Sequence, residues 1–179
     1  MQPVKRPWLS LFSQTGSEIV GIYRNGMPMP NVIYTNNRIK SSWHNRLDYI
    51  DVEWNHNKDW IHKQLEMSIP QNPIVTLNGW LRIIPNHLCD KLEIYNVHPG
   101  DIIKYPELKG IDPQKKALEL GLKTTGVVIH RVTSELDGGE IHKRMTCDIE
   151  KDDTELTLSN KLRDLSITMW TEFLKEKLW

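Results

Sequence analysis

Leu92-Glu93-Ile94-Tyr95-Asn96-Val97-His98-Pro99-Gly100 opens as a β-type run and stops on a proline-glycine pair that no strand continues through. Gly126-Val127-Val128-Ile129-His130-Arg131-Val132 repeats the design, and its apolar run gives way to Thr133-Ser134-Glu135-Leu136-Asp137-Gly138-Gly139. Upstream, Trp8 to Phe12, Val32 to Thr35 and Pro73 to Leu77 are short runs of the same kind, each closed by polar turn residues. Nearly continuous apolar strands are buried on both faces, which requires helices on both sides of the sheet.

The intervening segments supply those helices. Glu18 onward reads as a helix start after a polar turn, Ser13 to Ser17. Asp59 to Met67 is helical, ended by Pro70 and Pro73; Pro85 opens a short helix; Lys115 to Leu120 is a further one, ended by Gly121. In the last helix Leu158, Leu162, Leu165, Met169 and Phe173 recur every three or four residues, so one apolar stripe packs on the sheet. Ile141 to Ile149 is the last strand, joined to the preceding one through Asp137-Gly138-Gly139. Residues 43 to 55 carry His, Trp and Tyr side chains without a period, and no element is assigned to them. The expected architecture is one α/β domain over residues 1–179, with a mostly parallel central sheet, its last pairs antiparallel, and helices on both faces.

Composition narrows the function classes. Lys plus Arg and Asp plus Glu both number 23, which gives no global electrostatic case for a nucleic-acid or membrane partner. Lys104, Lys109, Lys115 and Lys116 are the best local basic patch, and they read as a solvated helix face and loop. Cys89 and Cys147 fit neither a disulfide scaffold nor a metal motif and read as reduced, buried thiols. Met1 to Phe12 holds an apolar run too short for a signal-peptide core, and no window approaches the roughly twenty apolar residues of a membrane span. A soluble, cytoplasmic chain is expected. His44, His56 and His62 lack ligand spacing, so no metal site is expected.

The chemistry gathers at two strand ends. Asn96 and His98, two residues apart, present an amide and an imidazole on one side of the backbone. Asp137 follows another strand, with Gly138-Gly139 allowing the backbone to pass close to a ligand. A carboxylate beside His98 would orient the ring and favour its charged form. Such a set suits acyl transfer without a covalent enzyme intermediate: the amide and imidazolium hold an oxyanion, and the carboxylate assists proton movement from an amine. The same residues also read as a turn cap, a satisfied half-buried histidine and a turn former. At Ser13 to Ser17, backbone N–H groups at a helix start offer a cradle for an anion, with no Walker loop or full GxGxxG.

The order of motifs resembles the folate-dependent formyltransferases, most closely the glycinamide ribonucleotide branch. Leu77-Asn78-Gly79-Trp80-Leu81-Arg82-Ile83-Ile84, Tyr95-Asn96-Val97-His98-Pro99, Lys104-Tyr105-Pro106, Gly126 to His130 and Glu135 to Gly139 follow in the family's order. The likeness runs from about Trp8 onward and is thin between Asn36 and Asn72. It implies a Rossmann-like fold and 10-formyltetrahydrofolate as formyl donor. Asn96, His98 and Asp137 match the family's catalytic residues, and His130 a histidine near the acceptor. Arg82, Ile83 and Ile84 match the segment that reads the pterin, and Thr133, Ser134, Glu135 and Leu136 the loop over it.

Departures fall on the acceptor side. Gly16 and Ser17 of the phosphate-holding turn are kept, but Gln14 stands for its first glycine and Glu18 for its asparagine. A carboxylate there repels phosphate unless a cation intervenes. Lys109-Gly110-Ile111-Asp112-Pro113 is instead similar to a stretch of the methionyl-tRNA and sugar-nucleotide formyltransferases. The resemblance thus implies formyl transfer to the primary amine of a small phosphorylated or nucleotide-like acceptor, held in part by Gly16, Ser17, Glu18 and His130. Alternatives are deformylation by water, a methionyl-tRNA or sugar-nucleotide acceptor, and a folate-binding module without turnover.

Overall fold

The computed structural model describes residues 6–179; Met1 to Lys5, the head of the stretch weighed above as a leader, lie outside them. Seven strands form one sheet: β1 (Trp8–Phe12), β2 (Val32–Thr35), β3 (Val52–Trp54), β4 (Ile74–Leu77), β5 (Glu93–His98), β6 (Thr124–Arg131) and β7 (Ile141–Asp148). Five helices cover it: α1 (Ser17–Arg24), α2 (Lys58–Ser68), α3 (Asn86–Lys91), α4 (Pro113–Glu119) and α5 (Glu155–Leu178).

The strand order is β3-β2-β1-β4-β5-β6-β7. β1 to β5 run parallel, and β6 and β7 turn the far edge antiparallel. The chain leaves β1 outward to β2 and β3, then returns to lay β4 on β1's other side. That reversal opens a crevice at the strands' carboxyl ends, the usual ligand site of open α/β sheets. Its floor is stitched by Ser13 N–H donating to Gly79 O at 2.9 Å and Asn78 N–H to Leu11 O at 2.8 Å.

Cores lie on both faces, as the apolar strands require. On one, Leu158, Leu162, Met169, Trp170, Phe173 and Leu174 of α5 pack on Trp8, Tyr95 and Val127. On the other, Ile61 and Leu65 of α2 and Leu88 of α3 pack on Leu9, Leu11, Val75 and Ile94. Each such aliphatic side chain contributes roughly 1.5–3 kcal/mol on burial. Thr154 and Thr157 cap the start of α5 reciprocally, each side chain accepting from the other's backbone N–H.

The structure departs from the sequence reading in particular places. β5 continues through His98, because β6 pairs with it as far as Val128, so Asn96 and His98 sit within a strand. The unassigned 43–55 stretch holds β3 and a 3-10 turn, whose Leu47 joins a small core with Phe12, Ile19, Val20 and Ile33. Cys89 is buried and Cys147 only half-buried, and both are free thiols. Within the α5 stripe, Leu165 is half-buried, and Trp170 and Leu174 complete the packed face.

One buried charge fixes the turn after β5. Asp101, fully buried, takes Arg144 of β7 on both oxygens, at 2.9 and 2.6 Å. Arg144→Ala leaves that carboxylate without its cation and is expected to lower stability by about 3 kcal/mol, read as a lower urea midpoint at unchanged slope. An unchanged midpoint would show that the pair does not hold this turn.

Candidate active site

Register brings the site together. Asn96 of β5 lies opposite His130 of β6, and Asn96 Nδ2 is 3.3 Å from His130 Nε2. His98, two residues on, shares that side of the strand. The loop after β6 carries Asp137 between the two rings: Oδ2 is 3.2 Å from His98 Nδ1, and Oδ1 is 3.4 Å from His130 Nε2. Gly110 N–H adds a hydrogen bond to Oδ2 at 2.9 Å. The remote ring nitrogens donate to carbonyls, His98 Nε2 to Leu108 at 2.8 Å and His130 Nδ1 to Arg131 at 3.0 Å.

Both nitrogens of His98 therefore face acceptors, an environment that a doubly protonated ring satisfies in full. His98, His130 and Asp137 are 4%, 3% and 8% exposed, whereas Asn96 is half-buried and is the member that opens outward. Burial works against ionising Asp137. The hydrogen bonds from His130 and His98, the His98 charge and the Gly110 N–H outweigh it and hold the carboxyl far below the usual range. Asp137 is thus a carboxylate at every working pH.

Backbone geometry is tied to this placement. Asp137 sits in the left-handed region at φ 50°, a conformation enriched at functional sites. A Cβ on Gly139 would come within 1.9 Å of Arg131 O, so the loop closes on β6 only with glycine there.

A second group lies at the crevice. Gln14, Gly16, Ser17, Glu18, Asn78, Val97, Pro99 and Arg163 are among the residues lining a polar cavity of about 260 Å³. Glu18 Oε2 accepts from Asn78 Nδ2 at 2.7 Å. Burial pushes Glu18 up to about 7, despite the Asn78 amide, the Trp170 indole and the Arg163 charge beside it.

The residues expected from sequence fall into four places. Asn96, His98, His130 and Asp137 are one cluster; Gly16, Ser17 and Glu18 line the cavity; Val97 and Pro99, either side of His98, connect the two. Arg82, Ile83 and Ile84 form the loop after β4, with Ile84 buried and Ile83 86% exposed. Thr133, Ser134, Glu135 and Leu136 form the loop before Asp137, with Leu136 74% exposed. Among the described residues, neither loop hydrogen-bonds or ion-pairs with a side chain of the cluster; each carries an uncovered apolar side chain. Sequence reasoning missed Leu108 and Gly110, which act through backbone atoms, and Arg163, which reads as an ordinary helix-surface residue. Among the described residues, no group of three or more His, Cys, Asp or Glu is arranged to hold a metal ion. No helix among them is long and apolar enough to cross a membrane.

A largely parallel sheet with a reversal crevice and a histidine–carboxylate cluster at its strand ends defines an α/β protein of the doubly covered, open-sheet class. The formyl transferase family profile matches residues 53–174, and the chain belongs to that family. Thermotoga neapolitana methionyl-tRNA formyltransferase is 39% identical over 93 residues, covering 52% of this chain and 27% of that protein. Bacillus subtilis phosphoribosylglycinamide formyltransferase is 25% identical over 115 residues, covering 63% of this chain and 57% of that one. The chain therefore spans a little over half, or much less, of the curated relatives it matches. Phosphoribosylglycinamide formyltransferase from Streptococcus pneumoniae superposes with TM-score 0.78 at 21% identity, over 96% of this chain and 98% of that one. Its counterpart from Anaplasma phagocytophilum gives 0.79 at 20% identity, over 95% and 85%. These solved structures share the fold.

An acid whose folded pKa lies above its unfolded value binds its proton more tightly when folded. The stability this confers is lost as pH rises between the two. For Glu18 that window is about 4.5 to 7. The difference in Tm between Glu18→Gln and wild type should therefore move in the variant's favour across it. A difference that stays flat with pH would show that Glu18 titrates as an ordinary surface carboxyl.

Proposed function

We propose that this chain transfers a formyl group from 10-formyltetrahydrofolate to the primary amine of a small acceptor, in the manner of the phosphoribosylglycinamide formyltransferases. The observation that carries the reading is Asp137 held as a carboxylate between His98 and His130, with the Asn96 amide at the open edge.

The folate supplies the formyl group. The exposed Ile83 and Leu136 fit a flat apolar ring, and the Arg82-Ile83-Ile84 and Thr133 to Leu136 loops would hold it. As the amine nitrogen adds to the formyl carbon, charge builds on the formyl oxygen. Asn96 points its Nδ2 N–H at that oxygen, and His98 stabilises the charge; catalytic hydrogen bonds that are loose in the free protein tighten in this way. Asp137 orients the His98 ring and passes the proton released by the amine, through water, to the departing folate nitrogen. The bond between the formyl carbon and that nitrogen then breaks, leaving formamide product and tetrahydrofolate.

Similarity to methionyl-tRNA formyltransferase favours a second reading, an aminoacyl-tRNA acceptor. The small polar cavity beside His98 supports the small-molecule reading over it. The test follows folate product formed from 10-formyltetrahydrofolate with glycinamide ribonucleotide, amino-sugar nucleotides and charged initiator tRNA. Amine-dependent release is expected with a small acceptor, and Asp137→Asn and His98→Ala should each reduce it by about a thousandfold or more while keeping wild-type circular dichroism. Release that needs no amine, or full activity in either variant, would overturn the proposal.

A further inference from the structure

The cavity beside His98 is lined by side chains of opposite charge type, Glu18 of α1 and Arg163 of α5, and its construction is specific. Asn78 is 3% exposed, and its Oδ1 accepts from Ser10 Oγ and Thr76 Oγ1, both at 2.7 Å. Trp8 Nε1 in turn donates to Thr76 Oγ1 at 2.9 Å. These bonds fix which way the amide faces, so Nδ2 points at Glu18 and cannot exchange places with the oxygen. Glu18 is thereby anchored through a buried chain that begins in the sheet. The buried Trp170 indole lies beside Glu18 as well.

The first turn is itself filled. Ser17 N–H, a donor that an anion at the start of α1 would need, goes to Thr15 Oγ1 at 3.2 Å, and Thr15 Oγ1 also donates to Ser17 Oγ at 3.0 Å. A phosphate there would meet the Glu18 carboxylate as well. Arg163 of α5 also lines the cavity, with Ser159 and Ser166 of the same helix. Among the described residues, Arg163 makes no ion pair with Glu18 within 4.0 Å and meets the carboxylate of Asp164, itself mostly exposed, at 3.9 Å.

Resting on the small-acceptor reading above, we infer that the acceptor lies with a hydroxyl or ammonium group on Glu18 and its anionic group on Arg163, not on the α1 turn. At about 30 Å³ per water, the cavity of about 260 Å³ holds roughly nine waters' volume. That suits an amine of monosaccharide size bearing a phosphate or carboxylate, with any larger portion outside.

Two probes test this without knowledge of the acceptor and without turnover. Backbone and arginine side-chain NMR shifts are followed at pH 8 as inorganic phosphate, and separately 2-aminoethanol, are titrated into the full chain. Phosphate should perturb Arg163, Ser159 and Ser166 and leave Gly16 and Ser17 unmoved. Arg163→Ala should weaken phosphate about tenfold, and Glu18→Asn should bring phosphate shifts to Gly16 and Ser17. 2-Aminoethanol should perturb Glu18 and Asn78, and Glu18→Gln should remove that effect while keeping the fold. Wild-type phosphate shifts at Gly16 and Ser17, or none at any of these residues, would overturn the inference. If phosphate maps to Arg163 but no amine promotes folate release, the function reading fails while the charge map stands.

Discussion

A single buried carboxylate organises this protein's site. An ionised Asp137 deprived of partners would be untenable at its depth. It is accommodated because His98, His130 and Gly110 all direct N–H groups at it. Those three come from β5, β6 and the loop before α4, so one charge ties three parts of the chain together. Each imidazole is braced from behind by a carbonyl, at Leu108 and Arg131. The cluster is therefore positioned before any substrate arrives, which is the condition for electrostatic catalysis.

The sheet explains why amide, rings and cavity meet. Antiparallel pairing of β6 with β5 sets His130 opposite Asn96. A β-bulge at Ile129/His130 then shifts the β6–β7 register beside the site, a common device for re-aiming a side chain. Alternation along β5 places Asn96 and His98 on the cluster's side while Val97 and Pro99 line the polar cavity. Cluster and polar cavity are thus two faces of one strand end, and the reversal between β1 and β4 leaves the crevice in which they join.

Much of this was legible in the sequence, for physical reasons. Strands such as Trp8–Phe12 and Val32–Thr35 are apolar enough to be buried on both faces, so their limits coincide with their turn residues. Asn96, His98 and Asp137 stand where such runs break, and their order matches the formyl transferases. What escaped depends on tertiary contact. β3 is three residues long and carries two exposed positions, so it has no pattern apart from its pairing with β2. Leu108 and Gly110 reach the cluster only through backbone groups, which a side-chain motif does not announce. Glu18 was seen as a departure from the family's turn, but its pairing with Asn78 and its opposition to Arg163 required the folded chain.

The most direct measurement is a crystal structure with a folate analogue that carries a hydrated aldehyde in place of the formyl group, a mimic of the carbon under attack. The expected result places one hydroxyl within hydrogen-bond distance of Asn96 Nδ2, released from His130, and the folate ring between the Ile83 and Leu136 loops, with Asp137 still on His98. An analogue bound away from Asn96, with the Asn96–His130 contact intact, would contradict the assignment of this cluster to formyl transfer.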